Sequence, residues 1–224
     1  MTSRLQSIRH ALSCATLLTC LGATVAIGLS ACVPLMVGGA VVGTLVATDR
    51  RTSGAQLEDE GIDLRSANRI REALGDRAHV NINSYNRQVL LTGEVPTAKD
   101  KETAEQIVSK VDNVRSIVNE IAVLGNTTLG QRSSDSLVTA KVKAGLVDAK
   151  DLYAGAFKVV TERGTTYMLG KVSQREADRA AEVARTVSGV QKVVRIFEIV
   201  SEEELKRLLP PPAPTSNSSN QPAG

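Results

Sequence analysis

Leu91-Thr92-Gly93-Glu94-Val95 and Met168-Leu169-Gly170-Lys171-Val172 are two copies of one pattern, an apolar strand with a glycine at its third position. A helix start follows each. Thr97 to Asp100 nearly matches a capping box, with Asp in place of Glu, and Ser173 to Glu176 completes one. The helices stop alike, at Val111-Asp112-Asn113-Val114 and Val187-Ser188-Gly189-Val190. Asn113 and Gly189 stand where a helix ends in a left-handed residue, a conformation those two types tolerate best. Both copies finish in β-branched strands, Ile117 to Val123 and Val193 to Val200. Agreement in caps, stops and apolar pattern makes residues 62–124 and 134–200 a duplicated structure.

Working outward, each repeat reads helix, strand, strand, helix, strand. In the first, Ile70 and Leu74 share a face of the opening helix, Val80 and Ile82 alternate on one strand, and Val89 and Leu91 alternate on the next. Tyr85 to Gln88 form the turn between the strands, and Ala104, Ile107, Val108 and Val111 make one helical stripe. The matching positions of the second repeat are Val142 and Leu146, Phe157 and Val159, Met168, then Val183, Ala184 and Val187, with a gap after its opening helix. The hairpin is antiparallel, and the last strand returns across a helix and so pairs in parallel. The expected fold class is α+β: two tandem units, each a small mixed sheet with two helices on one face. Gly125 to Ser133 has a loop's composition and is expected to link them.

The N-terminus carries a different kind of signal. Arg4, Arg9 and His10 precede a largely apolar run from Ala11 to about Ile27, and small residues follow, the pattern of a secretory signal. Leu29-Ser30-Ala31-Cys32 resembles the bacterial lipobox, which implies cleavage before Cys32 and acylation of that residue. Cys14 and Cys20 lie inside the segment to be removed, so no internal disulfide or multi-cysteine metal site is expected in the mature chain. Acylation also accounts for a lone thiol in an oxidising envelope. Two or more acyl chains anchor stably where one is marginal. The apolar run Val33 to Ala47 is shorter than the ~20 residues a spanning helix needs. The expected layout is a signal peptide over 1–31, a lipidated linker over 32–61, the two repeats, and a C-terminal helix end and disordered tail over 201–224.

Composition narrows the function classes. Beyond residue 31 the chain keeps 25 Lys and Arg against 24 Asp and Glu, and it has five aromatic residues and no Trp. Nucleic acid is therefore not expected as a partner, lacking both a basic surface and stacking platforms. No cofactor, metal site or enzymatic constellation is expected either. His79, the only histidine after His10, opens a strand and reads as a surface or edge residue. Glu58-Asp59-Glu60 reads as a solvated linker, lacking the alternation of a calcium loop. Glu202-Glu203-Glu204 before Lys206 and Arg207 reads as a solvated helix end, and residues 210–224 have the composition of a disordered tail.

Two units of this size, with Gly93 and Gly170 in their second strands and Asn113-Val114 and Gly189-Val190 at their helix stops, resemble BON domains. A lipobox, a Gly/Val-rich stretch and Ala47-Thr48-Asp49-Arg50 ahead of two such units resemble the dual-BON outer-membrane lipoproteins. The resemblance covers about residues 29 to 200 and departs at the Pro210-to-Pro214 tail. It implies a periplasm-facing lipoprotein, not an enzyme, that supports envelope integrity and associates with anionic phospholipid. The residues themselves point to a place for that contact. On the second repeat's first helix, Val138, Val142 and Leu146 form the inward stripe, while Leu137, Ala140, Ala144 and Val147 form an outward one flanked by Lys141 and Lys143. An apolar face framed by lysines suits an anionic bilayer interface. The expected equivalents in the first repeat, Arg65, Asn68, Glu72 and Gly75, form no such face. Charge runs the same way: residues 62–124 hold nine basic and nine acidic side chains, residues 134–200 eleven and eight. The other reading of this face is a contact with the first repeat or with an envelope protein partner.

Overall fold

The computed structural model describes residues 49–125 and 127–208. The signal peptide, Cys32, the apolar run to Ala47 and the tail from Leu209 lie outside the described residues. The first unit runs α1 (Ser53–Leu74), β1 (His79–Tyr85), β2 (Gln88–Val95), α2 (Ala98–Ser109), β3 (Ser116–Asn119) and β4 (Ala122–Val123). The second runs α3 (Leu129–Asp148), β5 (Phe157–Glu162), β6 (Thr165–Val172), α4 (Gln174–Thr186) and β7 (Lys192–Ile199), and α5 (Glu202–Leu208) closes it. The duplicated order of elements is as the repeat predicts.

Each unit builds its own sheet. β1 pairs antiparallel with β2, from His79 opposite Glu94 to Tyr85 opposite Gln88, and β3 and β4 both lie parallel to β2. In the second unit β5 pairs antiparallel with β6, and β7 lies parallel to β6 from Thr165–Lys192 to Val172–Ile199. One face of each sheet meets the unit's two helices. Ile62, Ile70, Val89, Leu91, Ala104 and Val108 fill the first core; Val142, Leu146, Val159, Met168, Ala180 and Ala184 fill the second. Burying a large aliphatic side chain contributes about 1.5–3 kcal/mol, so these stripes are the main stabilising term in each unit.

The opposite sheet faces do not meet water. Tyr85 and Leu90 of the first sheet pack with Tyr167, Leu169 and Ile196 of the second, and Val118 and Val194 flank them. The described residues therefore fall in one compact unit: two sheets back to back, with a helix layer outside each. A signal for this stands in Val89-Leu90-Leu91 and Met168-Leu169, where apolar residues run on without alternation, as in strands buried on both faces. Polar contacts rim the shared core. Lys158 Nζ donates to the Ser84 carbonyl at 3.0 Å, Asn81 to Glu162 at 2.8 Å and Asn86 to Glu198 at 2.7 Å.

Two boundaries shift. Residues 53–61 belong to α1 and not to a linker, because Thr52 caps that helix by accepting from Ala55 N–H. Likewise α3 starts at Leu129 inside the expected 125–133 linker, capped by Thr128, which accepts from Gln131 N–H. The expected helix end is present as Glu202–Leu208, but it is docked and not simply solvated: it buries Leu205 and bonds Lys171 through Glu204 at 2.7 Å. The expected helix stops hold: Asn113 has φ 68° and Gly189 φ 100°. So do the helix starts at Thr97 and Ser173, with the full capping box at the second.

Candidate functional site

Two aspartates align the units. Each hairpin is a two-residue turn in left-handed backbone, Asn86-Arg87 in the first unit and Arg163-Gly164 in the second. Such a turn leaves its two N–H groups pointing together. In the first unit they donate to Asp59 of α1, both at 2.8 Å, and in the second to Asp135 of α3, at 2.9 and 3.1 Å. Asp59 takes a further bond from Ser84 Oγ at 2.6 Å and pairs with Arg51 at 2.7 Å. Burial alone would raise this carboxyl, but the bonds from Ser84, Arg87, Arg51 and Asn86 hold it below the usual range. The solvated-linker reading of Glu58-Asp59-Glu60 is thus corrected at its central residue. The signal lay in spacing: each aspartate sits at the same distance after its cap, Thr52 or Thr128.

This register moves the match between the opening helices by one turn. Ile62, Ser66 and Ile70 correspond to Val138, Val142 and Leu146, so Ile70 and Leu74 are not the partners of Val142 and Leu146. The two helices start in step, and α1 runs two residues further at its C-terminal end. The first-unit equivalents of Leu137, Ala140, Ala144 and Val147 are therefore Gly61, Leu64, Asn68 and Arg71, and not Arg65, Asn68, Glu72 and Gly75.

The proposed contact face is open. Leu137, Ala140, Lys141, Lys143, Ala144 and Val147 are all exposed, Leu137 to 57 %, while Val138, Val142 and Leu146 are buried beneath them. The sheets' back-to-back packing explains why the first unit does not cover this face. Among the described residues neither Lys141 nor Lys143 is paired with a carboxylate. In the first unit Leu57 and Leu64 are also exposed, but Arg65 is tied to Glu58 at 2.7 Å and reaches the Asp112 carbonyl.

The chain leading from the N-terminal segment is strapped across both units. Arg50 is buried and forks onto Glu176 with two bonds of 2.7 Å, and it also donates to the Lys171 carbonyl. Burial opposes charge on Glu176, yet the Arg50 fork and the Ser173 N–H keep its carboxyl below the usual range. Arg50 also lies over the Tyr153 ring, 5.5 Å from its centroid, in the loop that follows α3. Arg51 lies over Tyr85 at 4.3 Å and bonds Asp49 and Asp59.

A second polar cluster joins the units at their other edge. His79 opens β1, the edge strand of the first sheet, and is half-buried: its Nδ1 lies 3.2 Å from Glu94 Oε2. Glu162 of β5 stands beside them, held by Asn81, and burial together with Glu94 pushes its carboxyl above the usual range. Thr127 donates its N–H and hydroxyl to Glu94.

Residues 63–125 and 134–201 both match the BON domain family. The chain belongs to the dual-BON, DolP-like family. It is 37% identical over 180 residues to the outer membrane lipoprotein DolP of Haemophilus influenzae, covering 80% of this chain and 92% of that one. It is 38% identical over 154 residues to a 21 kDa hemolysin of Actinobacillus pleuropneumoniae, covering 68% and 79%. A more distant relative is the osmotically-inducible protein Y of Escherichia coli, 26% identical over 117 residues, with 51% and 58% covered. The DolP-like chain is thus an outer-membrane lipoprotein with two BON domains. No helix among the described residues is long and apolar enough to cross a membrane.

Proposed function

We propose that this DolP-like lipoprotein faces the periplasm, held by acylated Cys32, and binds anionic phospholipid through the outward face of α3 in support of envelope integrity. The observation that carries this reading is one exposed face on which Leu137, Ala140, Ala144 and Val147 lie between two lysines that pair with no carboxylate among the described residues. An apolar stripe enters the headgroup boundary while lysines meet anionic headgroups, each contributing about 1 kcal/mol near such a surface. The strap adds a geometric argument. The Arg50 guanidinium lies over the ring of Tyr153, five residues past the C-terminal end of α3. The stretch from Cys32 to Asp49 spans at most about 60 Å, which keeps the helix within reach of the bilayer that holds the anchor.

Two experiments test the reading. Unacylated chain from residue 33 onward, which keeps the Asp49-to-Thr52 strap and cap, is sedimented with phosphatidylglycerol-containing and with neutral vesicles. Lys141→Glu combined with Lys143→Glu is expected to lower affinity for the anionic vesicles at least tenfold. Wild-type binding by that variant assigns the face to a protein partner instead. Cys32→Ala is expected to abolish outer-membrane retention in cell fractionation, and full retention would remove Cys32 as the anchor.

A further inference from the structure

We propose that His79, Glu94 and Glu162 form a binding site for a first-row transition-metal dication, best matched by zinc, which clamps the two BON units together. A ring nitrogen of His79 and one carboxylate oxygen from each glutamate lie within 4.8 Å of one another. His79 and Glu94 face each other across the β1–β2 pair of the first unit, and Glu162 ends β5 of the second. The cluster therefore bridges the units, and none of its three residues belongs to α3.

A second observation points to a ligand. Glu94 is completely buried, and its Oε1 has no hydrogen-bond partner among the described residues. Its ion-pair contact with the Arg163 guanidinium is long, at 3.9 Å, and that side chain is 41 % exposed. A buried carboxylate oxygen without a donor is costly, and a second carboxylate beside it adds repulsion. A dication answers both. It neutralises the two carboxylates and takes the lone pair of a neutral imidazole. The nitrogen ligand favours zinc and its neighbours over magnesium and calcium, which prefer all-oxygen sites.

The surroundings are those of a metal site. Asn81 donates to Glu162 at 2.8 Å and Thr127 to Glu94 at 3.1 Å, which orients both carboxylates from outside. A groove lined by His79, Asn81, Arg132, Asp135, Thr161 and Glu162 opens on the cluster, giving the ion an entry path and room for a water as fourth ligand. Ligand atoms around a tetrahedral zinc sit about 3.4 Å apart. Binding thus requires Glu162 to close inward from its place on the groove wall.

The test uses the purified acylated protein in detergent micelles, titrated with Zn²⁺ by calorimetry and followed by metal analysis after dialysis. One zinc per chain is expected, with a Kd of about 10 µM or tighter. His79→Asn and Glu162→Gln should each weaken binding at least tenfold, and millimolar Mg²⁺ should not displace the ion. Because His79 is the only histidine after His10, its ¹⁵N-labelled ring signals give a direct readout, and they should shift on saturation. Both variants keep Glu94 in place; their folding is checked by metal-free thermal unfolding. No stoichiometric zinc, unshifted ring signals, or unchanged affinity in folded variants would each overturn the site. Liposome binding is read separately, so failure here leaves the lipid reading of α3 standing.

Discussion

The two BON units of this lipoprotein share a frame and differ on one surface. Each has a threonine cap, an aspartate holding its hairpin turn, a glycine in its second strand and a left-handed helix stop. On the outward face of the opening helix, Gly61, Leu64, Asn68 and Arg71 in one unit stand where Leu137, Ala140, Ala144 and Val147 stand in the other. The frame is held by backbone geometry and buried charge, where substitution is costly. The outer face bears no packing duty and is free to differ, so function is to be read there.

The glycines give the strongest way to break the shared-frame half of this comparison. A Cβ at Gly93 would lie 2.0 Å from the His79 carbonyl oxygen at a φ of 105°, while one at Gly170 would lie 2.5 Å from the Ala156 carbonyl oxygen. Gly93→Ala is expected to cost about 4 kcal/mol or more and Gly170→Ala about 2 kcal/mol, since only the first adds strained backbone to the collision. Denaturant unfolding of the two variants measures both. Equal, small losses would mean that the strands can slide apart and that the glycines are not framework residues.

The aspartates come next. Asp59 accepts three hydrogen bonds and an Arg51 ion pair, and Asp135 accepts the two turn N–H bonds and a weaker contact from Gln131. With charge-assisted bonds contributing about 1.5–3 kcal/mol, Asp59→Ala should cost about 3 kcal/mol and Asp135→Ala about 2 kcal/mol. The Asp59 carboxyl is held below its unfolded value. Its contribution is therefore present at neutral pH and lost as pH falls below about 4, through the folded value. Unfolding followed from pH 6 to pH 2 should show a shallower acid loss in Asp59→Asn than in wild type; an unchanged slope would shift that role to other carboxylates, Glu176 among them.

The smallest expected effect sharpens the surface half of the comparison. Leu137→Asp should weaken binding to anionic vesicles severalfold, whereas Leu64→Asp should change it less than about twofold, because Asn68 and Arg71 interrupt its stripe and Arg65 is already paired. Matched losses would mean that both opening helices touch the membrane.

Much of this was legible in the residues. Repetition exposed both units, their element order and the ends of their second helices, because caps, stops and close-packed glycines answer to local geometry. The inward and outward stripes of α3 follow from helical spacing alone. The roles of Asp59, Arg50 and Glu94 were not legible, since each depends on groups far along the chain: Ser84 and Arg87, Glu176, and Thr127 with Glu162 nearby. A run such as Glu58-Asp59-Glu60 looks the same whether its middle carboxylate meets water or a turn's N–H groups.

The sequence by itself determined the α+β class, the duplication, the lipidation signal and the amphipathic character of α3. Those rest on period, composition and short-range steric preference, which act within a few residues. Only the tertiary structure decided that the sheets pack back to back through Tyr85, Leu90, Tyr167, Leu169 and Ile196. That packing buries apolar faces contributed by both units at once, and it leaves the helix layers outside. It also decided which residues of the N-terminal stretch are strap and helix, because Arg50 gains its partners only from the second unit and Asp59 only from the folded hairpin of its own unit.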